Sequence, residues 1–283
     1  LASEQLNFDS TNKLFLGELS LNGDLKAING ILPILMEAKK KGFDSFFIPF
    51  ENAKEASLIS NINIYPARNL KEIVDHFTGC LISTYKNSQK IKVPKDETLN
   101  FSSILGQNLA KRALEISAAG GHNCLLNGSP GSGKTMLAKA FKSILPQMNL
   151  DESLEVTKIY SVAGILNKDN PYLVNRPFRS PHHTISHIAL VGGGTQLRPG
   201  EITLAHNGVL FLDELPEFEV RSIETLRQPL EDKVITISRS TGTVEYPANF
   251  TLLSAMNPCK CGYFGDSNKE CICTSKQIQD YKK

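Results

Sequence analysis

NCLLNGSPGSGKT, from Asn123 to Thr135, is the stretch whose reading decides the fold. A short apolar run (Cys124, Leu125, Leu126) leads into Gly128, Gly131 and Gly133, and Lys134-Thr135 then open a helical stretch. Strand, glycine loop and helix in that order, with the spacing GxxxxGKT met without a gap, are the signature of a phosphate-binding loop. Glycines are required because the backbone must wrap phosphates closely with its N–H groups inward, in conformations that a Cβ obstructs. The loop Gly128, Ser129, Pro130, Gly131, Ser132, Gly133 therefore forms the expected cradle, with Met136 in the first turn of the helix behind it. Lys134 is expected to reach the β/γ-phosphate oxygens and the Thr135 hydroxyl to ligate Mg²⁺, while the helix N-terminus adds partial positive charge.

Around this stretch lie 283 residues, 41% of them hydrophobic, enough for one large or two modest cores. No run approaches the roughly 20 apolar residues that span a bilayer, and Leu1 to Asp9 lacks the pattern of a signal peptide, so the expectation is a cytoplasmic protein with no membrane partner. A first residue other than Met suggests that the sequence starts inside a longer protein. The net charge of +2 does not by itself imply nucleic acid, which demands a local basic face.

The first third alternates strand-like and helix-like pieces and predicts a small α/β unit over 1–85. Leu14 to Leu21 reads as one strand, and Ile31, Leu32, Leu35 and Ala38 share a helical face closed by Lys39 to Lys41 and Gly42. Ser45 to Pro49 is the next strand, with helices over Glu51 to Ile59 and Leu70 to Phe77. Polar, proline-containing Lys86 to Asn100 reads as a linker before a second α/β unit over 101–283. There, Asn108 to Ala119 is a helix before the phosphate loop, and Val156, Ile159, Tyr160 and Ala163 mark another after it. Asn175 to His187 reads as irregular. Val209 to Leu212 is a continuous apolar strand running into Asp213-Glu214. Phe218, Ile223, Leu226 and Leu230 predict a helix, Lys233 to Tyr246 a hairpin, and Phe250 to Met256 a third apolar strand ending at Asn257.

Three buried strands ending in a phosphate loop, an acidic pair and an Asn put all three groups at the carboxyl edge of one sheet, where α/β folds bind ligands. Asp213 fits an acceptor for a water on Mg²⁺, and Glu214 the base that orients the attacking water. Asn257 can hydrogen-bond that water or the γ-phosphate without adding charge. Lys134, Asp213, Glu214 and Asn257 are thus the expected catalytic set, with Thr135 and Asp213 around magnesium.

Taken together, Ile104-Leu105-Gly106-Gln107, GSPGSGKT, RPFRSPHHT, RPGEITLAHNGVLFLDELPEF and SAMNPCKCGYFGD resemble the magnesium-chelatase-like AAA+ ATPases, and within them the ComM/YifB family. The resemblance implies a P-loop AAA+ parallel-sheet core and an ATP-driven motor built as a homo-oligomer, a hexameric ring. Gly106-Gln107 would lie near the adenine, Lys134-Thr135 in Walker A, Asp213-Glu214 in Walker B, and Asn257 at sensor 1. It also implies that the insert between His187 and Ile202 and the hairpin over Lys233 to Tyr246 face a central pore and grip DNA, as in related hexameric helicases. The expected function is then a DNA translocase or branch-migration helicase acting in recombination during natural transformation. A magnesium-chelatase-like protein-remodelling ATPase is the alternative. The sequence stops at Lys283, before the segment where relatives carry an arginine finger and the lid, which predicts nucleotide binding with weak hydrolysis.

GELSLNGDLKAINGILPILMEAKKKG and FFIPFENAKEA resemble the back half of the Lon-protease fold (S5 domain 2-like). The position of that fold's lysine is here Leu32, which leaves a serine no base and predicts a degenerate module kept for architecture or partner binding.

Cys259, Cys261, Cys271 and Cys273 form CxC, nine residues, CxC. Four thiolates can surround a tetrahedral zinc, and free or redox-labile thiols are the other reading. His182 and His183 follow Arg179-Ser180-Pro181 and are open between a contact to nucleotide, a neighbouring subunit or DNA and a structural role. Arg198 in the insert and Lys233 and Arg239 on the hairpin are the candidate DNA-phosphate contacts, a groove only when a ring brings copies together.

Overall fold

The computed structural model describes residues 6–86, 99–167, 169–194, 197–239 and 242–282. Most of the expected linker, 87–98, and the tip of the expected hairpin, 240–241, lie outside the described residues. The chain divides into two compact units, Leu1–Val93 with Ser153–Leu173, and Pro94–Glu152 with Val174–Lys283. The second unit is therefore not one uninterrupted run of sequence.

In the first unit, strands Lys13–Phe15, Ser45–Pro49 and Asn63–Ala67 pair in parallel in that order. Alternation along the middle strand fills both faces. Phe46 and Ile48 pack with Ile31, Leu35 and Ala38 of the helix Ile31–Lys40. Phe47 points the other way and stacks between Phe15 and Tyr65, with both centroid separations 4.8 Å. The single strand expected over Leu14 to Leu21 is broken: Lys13–Phe15 joins the sheet, while Glu18–Leu19 turns away to pair with Leu25–Lys26. Gly17 makes the break, at φ 149° and tight against Pro49. No element is expected from the sequence over Asn63–Ala67, which is an edge strand; there the missing N–H of Pro66 costs no ladder bond. From Ser153 onward the helix Leu150–Ala163 belongs to this unit, where the Ser161 carbonyl accepts from Gly30 N–H at 2.9 Å and its hydroxyl donates to Glu55. Burial pushes the Glu55 carboxyl above its usual range.

The second unit is built on a parallel sheet in the order Cys124–Asn127, Thr251–Met256, Val209–Leu212, Phe178–Arg179. This mixed α/β arrangement fits a P-loop AAA+ core. Every residue of Val209–Leu212 is buried. Val209 and Phe211 face a core with Phe101, Leu114, Leu137 and Phe141, whereas Leu210 and Leu212 face one with Leu190, Ile202, Phe218 and Phe250. Apolar layers on both faces are what a parallel sheet requires. Phe178–Arg179, expected to be irregular, is too short for a period-2 pattern to register. The single helix expected through Phe218 to Leu230 is two, Val220–Glu224 and Arg227–Asp232, preceded by the 3₁₀ turn Leu215–Glu217. Pro229 lacks the N–H that a continuous helix would use, so it sits in the first turn of a new one. Strands Val234–Arg239 and Gly242–Pro247 form the hairpin.

No helix among the described residues is long and apolar enough to cross a membrane. Replacing Phe211 by Ala is expected to destabilise the chain by about 3–5 kcal/mol, read from the urea midpoint, because the ring is fully buried in the central strand.

Candidate nucleotide site

Parallel pairing sets the site. Asn127 lies opposite Met256, and Ser254 opposite Leu212, so the phosphate loop, Asn257 and Asp213 emerge side by side at one sheet edge. Lys134 Nζ donates to the carbonyls of Gly128 (2.7 Å) and Ser129 (3.0 Å) and to Asn257 Oδ1 (3.1 Å). Burial lowers the Lys134 pKa from its ordinary value, and the Asp213 charge opposes that shift. The Thr135 hydroxyl donates to Asp213 Oδ2 at 2.7 Å, bringing together the two oxygens that would share a magnesium shell.

The loop itself fits a triphosphate. Gly131 and Gly133 have φ of 78° and 86°, which turns successive N–H groups toward the cradle. Ser132 Oγ is buried with no hydrogen-bond partner among the described residues, a polar atom that a phosphate oxygen would satisfy. Gln107, itself left-handed at φ 55°, donates from Nε2 to the Ser132 carbonyl at 3.1 Å, so the Gly106-Gln107 turn is fastened to the loop.

Glu214 also occupies the left-handed region, at φ 55° and ψ 47°, a conformation that costs a non-glycine residue of the order of 1–2 kcal/mol. Its N–H donates to Asp213 Oδ1 at 3.0 Å, and its Oε2 lies 3.2 Å from His183 Nδ1. His183 follows the fourth strand, which Arg179 anchors through a two-pronged ion pair to Glu201, both contacts 2.6 Å. Sequence alone left His183 open; the fourth strand, two residues long, was the missing signal. The neighbouring His182 turns instead to Thr184, at 2.9 Å.

The four clustered cysteines converge. Cys259 Sγ is 3.3 Å from Cys261 Sγ and 3.7 Å from Cys271 Sγ, Cys261 and Cys271 are 3.6 Å apart, and all four ligand atoms lie within 4.8 Å of one another. A tetrahedron of metal–sulfur bonds near 2.3 Å has sulfur–sulfur edges of about 3.8 Å, so the set fits a tetrathiolate metal. Backbone N–H groups, that of Tyr263 foremost, bring the Cys261 thiol down to about 6, while Cys271, beside the Cys261 and Cys259 thiols, is pushed up to about 12 and Cys273 is raised as well, as expected of thiols crowded together without a cation.

Residues 100–283 match the family model "Magnesium chelatase, subunit ChlI", and residues 1–52 match "Subunit ChlI of Mg-chelatase". The chain is a ComM/YifB-type member of the magnesium-chelatase-like family. It is 44% identical to the competence protein ComM of Haemophilus influenzae, over 99% of this chain and 55% of that one. Identity to YifB of Escherichia coli is 41%, over 99% of this chain and 54% of that protein. Similarity to the magnesium-chelatase 67 kDa subunit of Chlorobaculum parvum is lower, 26% over 56% of this chain and 23% of the subunit. The chain spans about half the length of the ComM and YifB relatives it matches.

In this ComM/YifB-family chain the three basic candidates are dispersed. Arg198 is exposed in the short pairing Gly192–Gly193 with Arg198–Pro199, and Arg239 ends its strand at the hairpin turn. Lys233, left-handed at φ 61°, sits at the base of that strand, about 20 Å from the turn by strand rise, beside a cavity that Arg176 and Glu152 also line. The insert and the hairpin meet: the Tyr246 hydroxyl donates to the Leu197 carbonyl at 2.7 Å.

Lys134→Ala, which removes the ammonium and keeps the loop, is expected to weaken binding of a fluorescent ATP analogue by at least about 100-fold, measured by anisotropy.

Proposed function

We propose that this chain is the nucleotide-binding half of an ATP-driven DNA translocase, a cytoplasmic homohexameric ring that moves branches or single strands during recombination in natural transformation. The observation that carries the reading is the meeting of Lys134, Thr135, Asp213, Asn257 and Glu214 at one sheet edge. Lys134 and the loop N–H groups hold the triphosphate, and Thr135 with Asp213 holds Mg²⁺, which neutralises charge on the β- and γ-phosphates. Glu214 orients and polarises the attacking water, and Asn257 fixes the γ-phosphate end through its amide. His183 acts on Glu214, setting where its carboxylate points.

A DNA cargo is supported by the exposed Arg198 and by Arg239 on two loops that pack together, and by the name of the competence protein ComM among the relatives. The four thiolates belong to the same reading as a structural zinc site, a clip for a segment with little core of its own. The first unit serves as a degenerate Lon-like scaffold, with fully buried Leu32 where that fold carries its lysine. The resemblance to a magnesium-chelatase subunit favours a second reading, a motor that remodels a protein partner.

Glu214→Gln in the full-length protein is expected to retain ATP while turnover falls by roughly 100-fold or more, in phosphate-release assays. On the same protein, Arg198→Glu with Arg239→Glu should abolish salt-sensitive binding to single-stranded DNA and leave ATP affinity intact, with Lys233→Glu the milder change. Turnover that single-stranded DNA does not stimulate would reject the DNA cargo and leave the protein-remodelling reading standing.

A further inference from the structure

The segment after Asn257 leaves the nucleotide edge, passes through the four cysteines and returns. On the way out, the turn that follows Cys261 lies directly on the phosphate loop. Gly262 is buried, with φ of 88°, and a Cβ placed on it would be 2.6 Å from both Cγ and Cδ of Pro130. Only glycine allows that approach. Four residues on, the Asp266 carboxylate, held below its usual range by the backbone N–H of Asn268, which donates to it at 2.8 Å, faces the side chain of Ser129. Between these two contacts runs a cleft lined by Gly128, Ser129, Pro258, Phe264 and Asp266. On the way back, the helix Ser275–Lys282 carries Tyr281, which lies near the Asn257 backbone and the Glu214 and Glu217 carboxylates.

We propose that the tetrathiolate is the fastening that holds this segment in place, so that the bound metal ion, remote from phosphate chemistry, sets nucleotide affinity by bracing Ser129 and Pro130 from outside and the Asn257 backbone from beyond. The inference rests on the zinc reading of the four cysteines. Its physical basis is that the segment has few apolar contacts of its own: Lys260, Phe264, Gly265, Ser267, Asn268, Lys269 and Glu270 are all exposed. The cross-link between Cys259 and Cys261 on one side and Cys271 and Cys273 on the other closes the turn that presents Gly262 and Asp266. A phosphate loop free to sample other conformations binds less tightly by the fraction of time it spends in the competent one.

The test measures zinc content by mass spectrometry and affinity for a fluorescent ATP analogue on the same preparations. One zinc per chain is expected, and cobalt in its place should give the visible ligand-field bands of a tetrahedral thiolate site. Absence of metal and of those bands would overturn the zinc reading itself. Chelation under reducing conditions, or Cys271→Ser with Cys273→Ser, is expected to lower affinity for the analogue by about tenfold, while circular dichroism reports an intact sheet. A folded, metal-free chain that binds as the loaded one does would overturn the bracing while leaving the metal site standing. Should metal loss unfold the chain, the contact is read with zinc in place: Asp266→Ala and Ser129→Ala should each weaken nucleotide binding several-fold, and the double variant no more than either. Additive losses, or none, would overturn the proposal.

Discussion

Thr251–Met256 lies between the phosphate-loop strand and the acidic strand, and its parallel register with both is the constraint on which the site depends. A parallel neighbour on each side means that three chain ends, far apart in sequence, leave the sheet in one direction and at nearly one height. Lys134 can then reach Asn257, and Thr135 can reach Asp213, with ordinary side-chain lengths. A one-residue slip of this strand would invert which residues face each core layer and turn Asn257 from Lys134. The buried layers on both faces, with Phe211 on one side and Leu210 and Leu212 on the other, make such a slip expensive.

Much of this could be read in the residues beforehand, and the reasons are local. The glycine spacing of the phosphate loop is dictated by backbone chemistry. The four apolar residues before Asp213 are dictated by burial on both faces, and the observed strand Val209–Leu212 has the expected bounds. Ser45–Pro49 likewise has its expected ends. The elements that escaped were those whose identity is decided at a distance. Phe178–Arg179 is a strand only because Val209 and Leu210 offer it partners. Asn63–Ala67 tolerates Pro66 because it is the edge strand, where the outer backbone bond runs from Tyr85 N–H to the Ile64 carbonyl and asks no N–H of Pro66. The assignment of Ser153–Leu173 to the first unit depends on contacts such as Gly30 with Ser161, more than a hundred residues apart, which no local pattern encodes.

Within the site the same division holds. Lys134, Thr135, Asp213 and Asn257 were legible because phosphate and magnesium chemistry restricts the residue types. His183 was not, since its place beside Glu214 comes from the unanticipated fourth strand. The left-handed backbone at Glu214 was equally invisible. It is a conformation that the Asp213 carboxylate supports from one side and that swings the Glu214 carboxylate toward His183 on the other. Strain concentrated in a functional residue, and held by its neighbours, is where local sequence preference is expected to mislead.

The union of hairpin and insert has a mechanical corollary. Tyr246 grips Leu197, and Ile237 presses so closely on Gly192 that no side chain would fit between them, while Ile235 at the hairpin base is embedded in the core beneath the acidic strand. The described parts of the hairpin and the insert are therefore fastened to each other and rooted in the layer that lies under Asp213. A tilt of that layer would carry the strands Val234–Arg239 and Arg198–Pro199 together through one arc.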